Sequence, residues 1–296
     1  MARRRFLSLA VAGSICLLAA CTPTNTPVGS PEPGGTPPSS PSAPSPTPSP
    51  GAPTAAPTPA LPPAGAAPDY QLGGAYPLPE GVHIVGRDRS AAPAAGAYSI
   101  CYVNAFQTQP GERALWPAGL LLRDRDGEIV HDPDWPDEII VDTRDPAAVA
   151  NVVAPWIEGC ATDGFDAVEF DNLDTYTRTD GALIRDDNLE TAALLVDVAH
   201  AAGLAAAQKN AAEDAGRLRA EAGFDFAVVE ECAAYDECTA YTEVYGTAVV
   251  AIEYTDNLPR RFADICADEA TPRSVVLRDR DLVTPDDPAY VFETCR

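Results

Sequence analysis

Val168-Glu169-Phe170-Asp171-Asn172-Leu173-Asp174 decides the fold: a short apolar run that stops abruptly in carboxylates. The same construction recurs along the chain. Strand-like runs lie at Tyr70-Gln71-Leu72, Val82-His83-Ile84-Val85, Ser99-Ile100-Cys101-Tyr102-Val103 and Ile139-Ile140-Val141, then at Ala167 to Phe170, Leu204 to Ala207, Phe226 to Val229, Ala248 to Ile252 and Ser274 to Leu277. Helical patterns separate several of them. Val149, Val152, Val153, Trp156 and Ile157 share one helix face, and Asp145-Pro146 before them offers an N-cap and a first-turn proline. Ala192, Leu195, Val196 and Ala199 repeat the pattern, with Gly203 placed to end that helix. Near-continuous apolar strands alternating with amphipathic helices indicate a parallel sheet covered by helices. About eight or nine such strands over residues 70–296 predict an α/β fold, a (β/α)8 TIM-type barrel with room for one extra strand. The open dinucleotide-binding sheet competes, but it needs a G-x-G-x-x-G turn that the chain lacks.

In such a barrel the chemistry sits where strands end. Here the runs end in Asp142-Thr143-Arg144, in Asp171 to Asp174, in Gln208-Lys209-Asn210, in Glu230-Glu231-Cys232 and in Glu253-Tyr254. Burying such groups costs several kcal/mol unless they are paired or wet, so their gathering at one barrel end predicts a site. Lys209 is the only lysine in the chain. It is either a counter-ion to Glu169 or Glu230, or the group that sets which carboxylates ionise. Strand alternation places Glu169 and Asp171 on one side, and Val228 with Glu230, leaving Glu231 toward the loops or helices. Asp171 and Glu230 then form the natural pair for glycoside hydrolysis, one a nucleophile or base and the other an acid. Two other readings stay open: structural salt-bridge acids, or a Ca²⁺ or Mg²⁺ site from Asp171, Asp174 and Glu230.

The runs Val168 to Tyr176, Gln208-Lys209-Asn210 and Glu230-Glu231-Cys232-Ala233-Ala234-Tyr235-Asp236-Glu237-Cys238 resemble glycoside hydrolase family 114, the endo-α-1,4-polygalactosaminidases. Cys101-Tyr102 and Glu253-Tyr254 fall at similar strand ends. The resemblance implies a (β/α)8 barrel, sometimes with an extra strand, and retaining hydrolysis of cationic galactosamine polymers. It makes Asp171 the nucleophile and Glu230 the acid/base. Two departures bear on substrate more than fold: Val229 precedes Glu230 where the family usually has Asn, and Val103 to Gln107 replaces a small-residue turn. Substrate contacts are expected from Asp142, Glu169, Asn172, Asp174, Lys209, Asn210, Asp236 and Glu253. Tyr102, Tyr176 and Tyr235 are expected among them, and Tyr70 and Tyr254 are further aromatic candidates for stacking on sugar rings. An acidic mouth attracts a polyamine sugar and repels uronic acids. No metal or cofactor is expected, and the chain is expected to be a monomer. A non-catalytic glycan-binding barrel and a Ca²⁺-dependent surface module remain as alternatives.

Composition narrows the partners. With Lys+Arg 20 against Asp+Glu 44, the formal charge of −24 argues against nucleic acid and anionic membrane surfaces. Residues 1–20 read as an export signal: Arg3, Arg4 and Arg5, then an apolar stretch from Phe6 to Leu18 too short to span a membrane. Leu18-Ala19-Ala20-Cys21 resembles the bacterial lipobox, which implies lipid on Cys21 and a tether to the outer face of the cytoplasmic membrane, the only membrane contact expected. An ordinary secretory signal is the alternative. Of the 30 prolines, 17 fall between Pro23 and Pro68, so residues 21–69 read as a semi-extended tether, open to O-linked sugars, and residues 70–296 as the barrel. Six cysteines remain in that domain, and three disulfides are expected: Cys232 with Cys238, Cys101 with Cys160, and Cys266 with Cys295. Zinc is the rival reading, weakened by the lack of C-x-x-C and of histidines at ligand spacing.

Overall fold

The computed structural model describes residues 59–295. The expected signal, Cys21 and most of the tether lie outside the described residues. Nine strands form one sheet in sequence order: β1 (Ala67–Tyr70), β2 (Val82–Asp88), β3 (Tyr98–Asn104), β4 (Ala167–Asp171), β5 (Ala205–Lys209), β6 (Phe226–Glu230), β7 (Val249–Tyr254), β8 (Ser274–Arg278) and β9 (Phe292–Thr294). Each of β1 to β7 runs parallel to the next, and β9 lies antiparallel on β8. β8 packs beside β1, so the eight parallel strands make a nearly closed barrel and β9 is the extra strand.

Two apolar layers follow from strand alternation. Ile84, Ile100, Ala205, Ala207, Phe226, Val228, Val250, Ile252 and Val276 fill the barrel. Val103, Val168, Phe170, Ala206, Ala227, Val229 and Ala251 face outward against the helices. Small residues on β5 leave the axis open for Tyr70, whose ring crosses it so closely that a Cβ on Gly86 would lie 2.5 Å from Cδ2. Helix α1 (Pro146–Asp163) is capped by the Asp145 side chain, which accepts from the Ala148 amide, and buries Val149, Val153, Ile157 and Cys160. Helix α2 (Arg185–Ala201) buries Leu189, Ala192, Leu195, Val196 and Ala199, and Gly203 after it takes a left-handed φ of 83°. Among the described residues no helix is long and apolar enough to cross a membrane.

Three sequence expectations change. Ile139–Val141 is not a barrel strand: it makes isolated antiparallel bridges to Gln107 and Leu121 within the long β3–α1 connection, because β3 pairs directly with β4. Helices are absent between β1 and β2 and between β2 and β3, where the connections are rich in Gly, Pro and Ala. The barrel begins before residue 70: Ala67–Tyr70 is already β1, and Asp69 is buried against Arg278 at 2.8 Å.

All three disulfides form as expected. Cys101–Cys160 fastens α1 to β3, Cys232–Cys238 closes the turn after β6, and Cys266–Cys295 ties the chain after β9 to the helix Phe262–Cys266. With their sulfurs paired, these cysteines offer zinc no thiolate.

Candidate active site

Three adjacent strands end in the residues that matter most: β4 in Asp171, β5 in Lys209 and β6 in Glu230. The residue after each, Asn172, Asn210 and Glu231, takes a left-handed φ of 65°, 47° and 58°. That turn carries the backbone away while the last strand side chain stays over the barrel mouth. Asn tolerates this conformation. Glu231 does so with its carboxylate held by Arg280 at 2.7 Å and by Asn257 at 3.0 Å.

Lys209 stands at the centre, 2% exposed, with Nζ 3.1 Å from Glu230 Oε2, 3.4 Å from Glu169 Oε1 and 3.5 Å from Asp171 Oδ2. Burial alone would lower its pKa, but Asp171, Glu230 and Glu169 outweigh that and hold it well above the usual lysine value. The Tyr102 hydroxyl donates to Asp171 Oδ2 at 2.8 Å and the Tyr254 hydroxyl to Glu230 Oε1, while Tyr70 donates to Glu169 Oε1. Burial and the neighbouring carboxylates push all three phenols up, so they remain donors. Asn210 locks Glu230 from both sides, its Nδ2 donating to Oε2 at 3.1 Å and its Oδ1 accepting from the Glu230 amide at 2.8 Å. Burial tends to raise the Glu230 pKa, yet the Lys209 charge and the Tyr254 and Asn210 hydrogen bonds hold it below the usual value. Glu169 has the opposite outcome: burial lifts it to about 7, only partly offset by Lys209 and Tyr70.

Tyr102, Asp171, Lys209, Asn210, Glu230 and Tyr254 floor a cavity of about 380 Å³, with Tyr70 and Glu169 buried outside its lining. Of the residues expected to touch substrate, Tyr102, Asp171, Asn172, Asp174, Lys209, Asn210, Glu230 and the stacking candidate Tyr254 line it. The others do not. Glu169 is fully buried beneath Lys209 and supports it from below. Glu253 points outward, because Ile252 and Tyr254 on either side face the barrel interior; its Oε1 accepts from the Ala233 amide at 2.8 Å. Asp142, carried by the run that is no barrel strand, is bound by Arg144. The Tyr176 hydroxyl donates to Asp214 at 2.6 Å. Tyr235 is 60% exposed on the turn after β6, and Asp236 lies beside the Cys232–Cys238 bridge in a separate small pocket. As for a cation site among Asp171, Asp174 and Glu230, the Lys209 ammonium already stands between the first and last, and Arg178 holds Asp174 at 2.9 Å.

Sequence reasoning missed one wall of the cavity. Asp132, Asp134, Trp135 and Glu138 line it from the β3–α1 connection, and Arg280 and Leu282 from the segment after β8. The signal was a tryptophan set among acids and prolines in His131-Asp132-Pro133-Asp134-Trp135-Pro136-Asp137-Glu138, a composition with no apolar periodicity.

The model of glycoside-hydrolase family GH114 matches residues 49–296. Among solved structures, Aspergillus fumigatus Ega3 in complex with galactosamine is 23% identical with a TM-score of 0.63, over 79% of this chain and 96% of that one. The glycoside hydrolase domain of PelA from Pseudomonas aeruginosa is 14% identical with a TM-score of 0.54, over 76% of this chain and 97% of that one. At such identities these likenesses carry the fold. No curated protein sequence matches the chain.

Proposed function

The chain belongs to glycoside hydrolase family GH114, and from that premise we propose that it cleaves α-1,4-linked galactosamine-type polysaccharide by a retaining two-carboxylate mechanism. The observation that carries the reading is the pair Asp171 and Glu230 bracketing one ammonium on the cavity floor. Their nearest oxygens, 3.5 and 3.1 Å from the same nitrogen, are at most about 6.6 Å apart and closer for any bent arrangement. That bound is compatible with the roughly 5–5.5 Å of retaining enzymes and reaches only the lower edge of the roughly 6.5–9.5 Å that leaves room for an inverting water. The galactosamine bound to Ega3 and the acidic walls of this cavity support an amino-sugar substrate.

In this mechanism Asp171, aimed by Tyr102, attacks the anomeric carbon and the bond to the leaving oxygen breaks as Glu230 gives that oxygen its proton. Water then attacks the glycosyl-enzyme, losing its proton to Glu230 and freeing Asp171. The depressed Glu230 pKa suits the base of the second step. For the first step it confines the protonated acid to low pH, so kcat/KM should fall from an acidic maximum as pH rises. Lipid on Cys21 and the proline-rich tether would hold the domain at the cell surface.

The test pairs the purified chain with Asp171→Asn, each given partly deacetylated α-1,4-galactosaminan and, as cationic control, chitosan, with released oligosaccharides read by mass spectrometry. Release from galactosaminan by the unmodified chain alone supports the reading. A folded protein that releases nothing from either polymer shifts it to another glycan, or to a barrel that only binds.

A further inference from the structure

The missed wall of the cavity is built rather than draped. Residues 131–139 form a tight hairpin closed by a bridge between His131 and Ile139. Its backbone is fixed by Asp132, which is buried: Oδ1 accepts from the Asp134 amide at 2.8 Å and the Trp135 amide at 3.1 Å, and Oδ2 from Gln107 Nε2 at 2.6 Å. Arg178, from the turn after β4, adds an ion pair to Asp132 at 2.8 Å and another to Asp174 at 2.9 Å. This rigid support presents Trp135 with 61% of its surface exposed, at the edge of the cavity. An indole held out into water by a fixed backbone gains nothing for the fold; a sugar ring's C–H face would cover it.

Glu138 follows on the same hairpin, its amide donating to the Trp135 carbonyl at 2.8 Å. Its Oε2 accepts from Asn104 Nδ2 at 3.0 Å, and Asn104 Oδ1 in turn accepts from Asn172, the residue beside Asp171. Lys209 serves Asp171 and Glu230, and Arg178 serves Asp132 and Asp174. Glu138 lines the same cavity yet forms no ion pair among the described residues, and burial with Asp171 and Asp132 nearby pushes its pKa up to about 7. A carboxylate in that position lacks a cation that a ligand can bring.

We propose that Trp135 and Glu138 form a sugar subsite beside Asp171, the indole stacking on a neighbouring ring and the Glu138 carboxylate taking that ring's ammonium group. The inference rests on the amino-sugar reading above and sharpens it: the site selects a free amine at this one position. An acetylated residue there would offer no cation and at best a neutral amide donor to the carboxylate, losing the ion pair.

The test measures binding by calorimetry in Asp171→Asn protein, so that turnover does not interfere, using the α-1,4-galactosamine tetramer and its fully N-acetylated counterpart. The parent should prefer the free-amine tetramer. Glu138→Gln should weaken that tetramer about tenfold and leave the acetylated one within about twofold. Trp135→Ala should weaken both by roughly tenfold. Melting temperatures confirm that each variant is folded. The inference is overturned if the parent shows no preference or no binding, if Glu138→Gln leaves the preference intact, or if Trp135→Ala changes nothing. Turnover by the unmodified chain separates the two claims. Hydrolysis of galactosaminan with unaltered binding in the variants removes the subsite and leaves the catalytic reading standing. Absence of hydrolysis removes the catalytic reading while the binding arms still decide the subsite.

Discussion

Arg278 and Lys209 are both buried cations at strand ends of one barrel, and they are solvated in opposite ways. Arg278 sits at the β1–β8 seam with every nitrogen engaged: Nη1 to Asp69 Oδ1 at 2.8 Å and to the Tyr70 carbonyl, Nε to the Val291 carbonyl at 2.9 Å, Nη2 to the Val283 carbonyl at 3.0 Å. Asp69 is equally saturated, its other oxygen accepting from Gln71 at 2.8 Å. Lys209 instead faces three carboxylates, at no less than 3.1 Å, and Glu169 Oε2 has no hydrogen-bond partner among the described residues. A charge cluster balanced and saturated holds the chain together. One with surplus charge, open to a cavity, holds a reaction in readiness.

Mutation should separate the two roles most widely at their acids and bases. Glu230→Gln should lower kcat by about 10²–10⁴-fold while lowering melting only modestly, since the Lys209, Tyr254 and Asn210 contacts that depress its pKa stabilise the charged form in the folded chain. Arg278→Met should do the reverse, costing about 3–5 kcal/mol in urea unfolding by stranding Asp69, with kcat of the folded protein little changed. If Arg278→Met proved as stable as the parent, the seam pair would be ornamental and the contrast would collapse.

A smaller effect sharpens the contrast within the site. The Lys209 charge lowers the Glu230 pKa, so Lys209→Met should raise it. The acid of the first step then stays protonated to higher pH, and the falling limb of kcat/KM should move toward neutrality. A profile with that limb in place would mean that Tyr254 and Asn210, rather than the ammonium, set the acidity.

Most of this architecture was legible because the strands announce themselves. β4, β5 and β6 are short, mostly apolar runs that each end in a charged residue, and alternation puts Asp171 on the side of Glu169 and Glu230 on the side of Val228. The same reasoning failed at Glu253 because facing depends on register: Glu230 pairs with Ile252, which fills the barrel, so the next residue must face the helices. It failed at Ile139–Val141 because a β-branched run states only that a segment is extended, while its partner is chosen by the whole sheet. The Trp135 hairpin was invisible to periodicity altogether, since its conformation rests on the buried Asp132 and on Arg178, forty-odd residues away in the chain and adjacent only after folding.

The least conspicuous consequence lies in stability against pH. Glu138, Glu169 and Glu253 each have burial as the main cause of a pKa raised from the usual glutamate value to about 7. The folded chain therefore binds more protons than the unfolded chain between the ordinary glutamate value and about 7, and stability should rise as pH falls through that window. Glu230 and Asp132, held below their usual values, act in the opposite sense, and what they contribute is lost as pH falls further through their folded values. Melting temperature should accordingly climb by a few degrees on going from about pH 8 to about pH 5, then decline. Glu253→Gln isolates one share of the climb. Its carboxylate faces the helices beside the Cys232–Cys238 bridge, with one oxygen on the Ala233 amide and the other unpartnered. Glutamine keeps the acceptor and cannot ionise, so the variant should melt higher than the parent above neutral pH, match it near pH 5, and retain its activity. A variant that kept the full slope would place the proton uptake at Glu169 and Glu138, in and beneath the cavity, and would tie the stability of the folded chain to the unbalanced cluster alone.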